Sequence, residues 1–203
     1  MHQIHSRVQG VTPALLNLYQ DIDASTIGHF ADSGYVHGLQ PLFRPIRILG
    51  NAVTVRLPPV DGSVIRHALI ASQPHDVLVI EMAAGDEHRA CWGELRTLAA
   101  LTKKLAGAVI SGCVTDMRAV TAAGFPVFSR AVSALTTRPL NLGGEINVPV
   151  NVGGVCVHPG DLVLGDDDGL FILNPEQAMD LGHRAREKQQ DEFRQRSRFS
   201  VSR

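Results

Sequence analysis

The chain has 203 residues, with 19 lysines and arginines against 20 acids and a formal charge of −1. That balance gives no general attraction to nucleic acid or anionic membrane, and an apolar share of 44% is too high for a disordered chain. The length suits one domain, 1–203, and 19 glycines with 11 prolines favour many turns.

In chain order, residues 11–20 suit a short helix, with Thr12 as cap and Pro13 at the first helical position. The next segment takes Ser25 or Thr26 as its cap and Gly34 as its stop. Residues 48–57 read as a strand and 63–71 as a short helix. The nearly continuous apolar run 76–82 reads as a buried strand. Residues 83–91 form a polar loop, and 92–107 is the clearest helix. Leu95, Leu98, Ala99 and Leu105 give it an apolar stripe, and Gly107 ends it. A strand over 108–112, a helix over 116–124 and a strand over 126–130 follow. Residues 145–173 read as short strands with Gly and Asp turns. From Pro175 the chain turns helical and charged, and 183–199 reads as a solvent-facing helix whose far end frays. Its basic residues are interleaved with acids, which makes nucleic acid an unlikely partner.

The three cysteines, Cys91, Cys113 and Cys156, form no CxxC pair and no disulfide framework. With no signal peptide and no long apolar run, they point to a soluble cytoplasmic protein without a membrane span. Phosphate-loop, dinucleotide and nucleophile-elbow motifs are absent. The scattered His29, His67 and His158 read as surface or structural residues.

Two constellations remain. Gly85 and Asp86 follow a buried strand, where α/β proteins bind ligands. Gly93, Glu94 and Leu95 open the main helix, whose free amides can hold an anion. Gly112 leads to Thr115 and Asp116. Alone, Asp116 is an ordinary helix cap. If the two strand–helix units are neighbours, Glu94 and Asp116 share one crevice with those amides, and a hard divalent cation would fit there. The second constellation, Asp166 to Asp168, reads as a tight turn rather than a metal site.

Four segments in order, 50–55, 76–95, 105–116 and 159–175, resemble the RraA-like family. It includes the 4-hydroxy-4-methyl-2-oxoglutarate / 4-carboxy-4-hydroxy-2-oxoadipate aldolases and the regulator of RNase E activity A. The resemblance covers a core over 12–175, followed by the charged helix over 175–199. It implies an α/β fold, a swivelling β/β/α three-layer domain, assembled as a homotrimer or hexamer. It implies a lyase on a 2-oxo acid, by retro-aldol cleavage releasing pyruvate or by decarboxylation, through an enolate stabilised by Mg²⁺ or Mn²⁺. The metal aspartate falls on Asp116, the amides holding the substrate carboxylate on Gly93, Glu94 and Leu95, and the acid working through water on Glu94. The family's R-D-x-x-[DE] reads Thr115-Asp116-Met117-Arg118-Ala119 here. Threonine cannot supply a forked, charged donor, which leaves Arg118 or Arg89 as conceivable replacements. The alternatives are a non-catalytic regulator that binds a ribonuclease or another protein, and a metal enzyme with a different substrate.

Overall fold

The computed structural model describes residues 1–196; the end of the helix expected over 183–199 lies outside them. The strands are β1 (His2–Ile4), β2 (Gln40–Pro41), β3 (Ile48–Arg56), β4 (Asp76–Glu81), β5 (Ala90–Trp92), β6 (Gly107–Val114), β7 (Val127–Val132), β8 (Gly144–Ile146), β9 (Val150–Val152), β10 (Val155–Val157), β11 (Leu162–Asp166) and β12 (Gly169–Leu173). The helices are α1 (Pro13–Tyr19), α2 (Ala24–Gly28), α3 (Val64–Ala71), α4 (Glu94–Thr102), α5 (Met117–Ala122) and α6 (Pro175–Arg196).

The fold is mixed α/β. The main path of its large sheet runs β1-β8-β3-β4-β6-β7-β2, with β5 beside β6 and the β11–β12 hairpin beside β3. Strands β3, β4, β6 and β7 are parallel neighbours. Their crossovers carry α3, α4 and α5, and these three helices share one face, as right-handed connections require. That face buries Val53, Val55, Leu78, Ile80, Ile110, Trp92 and Phe125. The opposite face of the same strands buries Val77, Val79, Val109 and Phe128 against Val150, Val152 and Val157 of the β9–β10 ribbon. The central strands are apolar on both sides, so their sequences run apolar without alternation. A third cluster joins α1, α2 and α6 to β11 and β12.

Thr12 caps α1 as expected, accepting from the Leu15 amide. Several local expectations are corrected. Asp23, not Ser25 or Thr26, precedes α2, and the helix ends at Gly28, before Gly34. Its first amide, at Ala24, donates to Asp166 Oδ2 instead of to its own cap. The loop expected over 83–91 ends in strand β5, which takes Trp92 out of the helix. Accordingly α4 starts at Glu94 and stops at Thr102. Gly107 does not end a helix but opens β6, where a side chain would press to 2.8 Å from the Pro126 carbonyl oxygen. Of the expected apolar stripe, Leu95, Leu98 and Ala99 face outward, while Leu105 lies beyond α4 and is buried. Leu95 is 81% exposed and Leu98 is also exposed, while Thr97 and Ala100 form the buried side. The reason is Trp92, whose indole nitrogen donates to Thr97 Oγ1 at 2.9 Å in the core and fixes the helix phase.

Asp166 to Asp168 form the β11–β12 turn, as expected. Asp166 Oδ1 accepts from the Asp168 amide, and Asp167 Oδ1 accepts from the Ile46 amide.

Candidate functional site

Strands β4, β6 and β7 deliver their carboxyl ends to one edge of the sheet, where β6 runs into Thr115 and Asp116 and β5 runs into Gly93. The Thr115 amide donates to the Trp92 carbonyl oxygen at 2.8 Å, which locks the two chain reversals together. Asp116 has left-handed backbone, φ 54°, and does not cap its own helix with its side chain. This corrects its reading as an ordinary cap. Its carboxylate crosses to the neighbouring unit instead, where Oδ2 accepts the Glu94 amide at 3.0 Å. The Glu94 backbone and the Asp116 carboxylate are thus brought together across the two units.

Gly93 makes that approach possible. Its backbone is extended, which any residue adopts, but a Cβ there would collide with Asp116 Oδ2 and lie 2.9 Å from Thr115 Cγ2. The first-turn amides of a helix have no partner within it. Asp116 takes that of Glu94. Those of Leu95 and Arg96 donate to no described residue, so the positive end of α4 stays available to an anion. Arg96 is absent from the sequence expectation; the signal for it is the helix start at Glu94, which makes it the third first-turn amide. The Arg96 guanidinium is turned inward and donates to the Gly62 carbonyl oxygen at 2.9 Å. Burial lowers its pKa, and Asp61 acts against that shift.

Arg89 does not supply a free charge in place of Thr115. Its Nε donates to Asp86 Oδ1 at 3.1 Å and its Nη1 to the Thr136 carbonyl oxygen at 3.2 Å. Arg118 lies on the exposed side of α5 without a hydrogen bond or ion pair to any described residue. Gly85 sits at the tip of the 83–86 turn with φ 88°, and its amide donates to Glu87 Oε2. Gly112 is buried, because a side chain there would meet Met82 and the carbonyl oxygens of Glu87 and Arg89.

Among the described residues, no three His, Cys, Asp or Glu side chains converge to hold a metal. Asp116 offers a carboxylate beside the free amides, and Glu94 is the acidic residue of the same first turn. Such a donor set fits a hard cation that keeps most of its waters and does not fit the closed sites typical of zinc.

His158 lies 3.9 Å from buried Asp161, and the His67 ring lies against that of His2 at 4.6 Å. No helix among the described residues is long and apolar enough to cross a membrane.

Residues 21–172 match the family model described as RraA-like, Aldolase/RraA. A Halalkalibacterium halodurans protein bearing the name "Putative 4-hydroxy-4-methyl-2-oxoglutarate aldolase" is 36% identical over 160 residues, 78% of this chain and 75% of that one. An uncharacterized protein of Methanocaldococcus jannaschii is 31% identical over 86% of this chain and 85% of its own length. Among solved structures, Streptomyces coelicolor RraAS2, described as an unusual member of the RNase ES inhibitor RraA protein family, superposes with a TM-score of 0.82. It is 26% identical, over 93% of this chain and 98% of that one. The chain belongs to the RraA-like family.

Proposed function

We propose that the chain is a lyase that cleaves a carbon–carbon bond of a 2-oxo acid with the help of a divalent cation, releasing pyruvate by retro-aldol cleavage or carbon dioxide by decarboxylation. The observation that carries the reading is the meeting of the Asp116 carboxylate with the open first turn of α4. Asp116 would hold Mg²⁺ or Mn²⁺. When bound, the cation supplies Lewis-acid polarisation of the keto oxygen. The free Leu95 and Arg96 amides hold the substrate carboxylate, preorganised by the helix and costing no reorganisation. In retro-aldol cleavage the exposed Glu94 carboxylate takes the proton of the substrate hydroxyl through water and returns it to the carbon left by bond cleavage; in decarboxylation the proton given to that carbon comes from water. Thr115 contributes a hydroxyl where the family pattern has an arginine, so carboxylate binding rests on the amides.

The test is pyruvate release by the full chain with Mg²⁺ or Mn²⁺, from oxaloacetate and from 4-hydroxy-4-methyl-2-oxoglutarate. The expected result is turnover that chelation abolishes and that Asp116→Ala lowers on the order of a hundredfold. No pyruvate from either substrate, with either cation, would overturn the reading.

A second reading has one observation in its favour: the leucine face of α4 lies open beside the site. On this reading the chain is a regulator that contacts a ribonuclease or another protein. It predicts ribonuclease inhibition that survives Asp116→Ala. For the lyase we propose that the same face joins copies of the chain into a homotrimer or hexamer.

A further inference from the structure

The face of the sheet turned away from α3, α4 and α5 carries a row of apolar side chains, Val79 on β4, Val109 on β6 and Phe128 on β7, joined in register. Successive residues of one strand face lie two apart. Beyond this row β6 carries an irregularity between Ile110 and Cys113, and Glu81, Ser111 and Arg130 follow near the carboxyl ends of the three strands. These three line a cleft at the carboxyl ends of three parallel strands, where α/β folds bind ligands. Glu87 of the 83–89 segment, Asn151 of the β9–β10 ribbon and His37 close its sides. None of Gly93, Glu94, Thr115 or Asp116 lines it. At Gly112 the Met82 side chain and the carbonyl oxygens of Glu87 and Arg89 pack directly on β6.

The charges in the cleft do not cancel equally. Glu81 Oε2 is paired with Arg56 Nε at 3.0 Å. Glu87 Oε2 accepts the Gly85 amide at 2.9 Å. Arg130 has no hydrogen bond or ion pair to any described residue. Its charge also reaches the Cys113 thiol, where it opposes the upward push of burial. Ser111 Oγ accepts the Met82 amide at 2.8 Å, which leaves its own hydrogen to donate. The Asn151 side chain is likewise uncommitted among the described residues.

We infer that this cleft is a second binding site, separate from the Asp116 site, for a small metabolite that joins one oxyanion to neighbouring hydroxyl groups. Arg130 takes the oxyanion, as a planar fork of donors suits a carboxylate or a phosphate. Ser111 and Asn151 add donors. The remaining carboxylate oxygens of Glu81 and Glu87 accept from the hydroxyls and disfavour a bare dianion.

The test is calorimetric titration of the full chain at low ionic strength with glycerate, glycerol 3-phosphate and inorganic phosphate, without added metal. Saturable binding of glycerate or glycerol 3-phosphate is expected, and the tighter of the two identifies the oxyanion as carboxylate or phosphate. Inorganic phosphate is expected to bind at least tenfold more weakly than that ligand. Arg130→Met, with an unchanged melting temperature, is expected to weaken binding at least tenfold, and Arg130→Lys less. Asp116→Ala is expected to leave binding unchanged. No saturable heat with any probe would overturn the proposal. So would equal affinity in Arg130→Met, or loss of binding in Asp116→Ala, which would assign the ligand to the other site.

Discussion

At the scale of single residues, Gly93 and Asp61 show how differently one atom can matter. A Cβ at Gly93 would drive into Asp116 Oδ2. The Gly93 backbone is extended, so alanine brings no conformational strain; the Asp116 carboxylate can swing aside, but the Thr115 methyl must also give way. Gly93→Ala should therefore cost about 1–2 kcal/mol of stability while lowering kcat/KM about tenfold or more, because the Asp116–Glu94 geometry is lost. Thermal melting and pyruvate release, measured on the same preparation, check both halves. Asp61 is the opposite case. It is fully buried and accepts the amides of Ser63, Leu140 and Leu142 and the Ser63 hydroxyl. Burial alone would raise its pKa; these hydrogen bonds outweigh burial and lower it. The folded state thus binds this proton more weakly than the unfolded chain. The stabilisation is fully present above the ordinary carboxylate range and is lost as pH falls through the depressed folded value. Asp61→Ala strands three amides and should cost about 2–4 kcal/mol at neutral pH. The gap to the wild type in denaturant melts should narrow on acidification.

At the scale of elements, the sequence is most legible where the physics is local. Strand β4 is a nearly continuous apolar run and β3 an apolar stretch interrupted by Asn51, Thr54 and Arg56, and both are found within one residue of where they are expected. Helix α4 is only half legible. Its three-residue apolar period is real, but which side of the helix is buried depends on Trp92, and the pairing of β5 with β6 that places Trp92 is a long-range event. The Asp116–Glu94 contact is hidden for the same reason: 22 positions separate the partners, and no local pattern announces the bond. Of the glycines expected around the site, only Gly93 lies against Asp116, where a close approach leaves a residue-type signature; Gly85 is open on a turn and Gly112 packs against Met82. The anchoring of α4 makes a direct prediction. Thr97→Val keeps the shape of the side chain but leaves the buried Trp92 indole N–H without an acceptor. It should cost about 1–3 kcal/mol, read as a lowered melting temperature, and tryptophan fluorescence would report the altered indole environment.

At the scale of the whole molecule, the surface divides into unlike regions. Leu95, Leu98 and Leu101 of α4 are exposed, as is Ile70 of α3, which lines one groove with Leu95; Val132 at the end of β7 and Leu135, Leu140 and Leu142 of the following segment are exposed as well. Isolated exposed leucines need no explanation, but contiguous ones mark contact surfaces. Two different patches on one chain suit a heterologous contact, patch to unlike patch, which closes into a ring when the rotation permits. The homotrimer or hexamer proposed above would be such a ring or pair of rings, and burying the α4 leucines in it would also seal the site beside Leu95. The expected result is a light-scattering mass three or six times the 21.9 kDa of the chain. Charges introduced by the pair Ile70→Glu and Leu98→Glu, two exposed side chains that form no part of the site, should release monomers with unchanged circular dichroism. If site closure depends on assembly, these monomers should also lose pyruvate release although Asp116 is intact. A wild-type chain that is monomeric at micromolar concentration would remove both the ring and the dependence of the site on it.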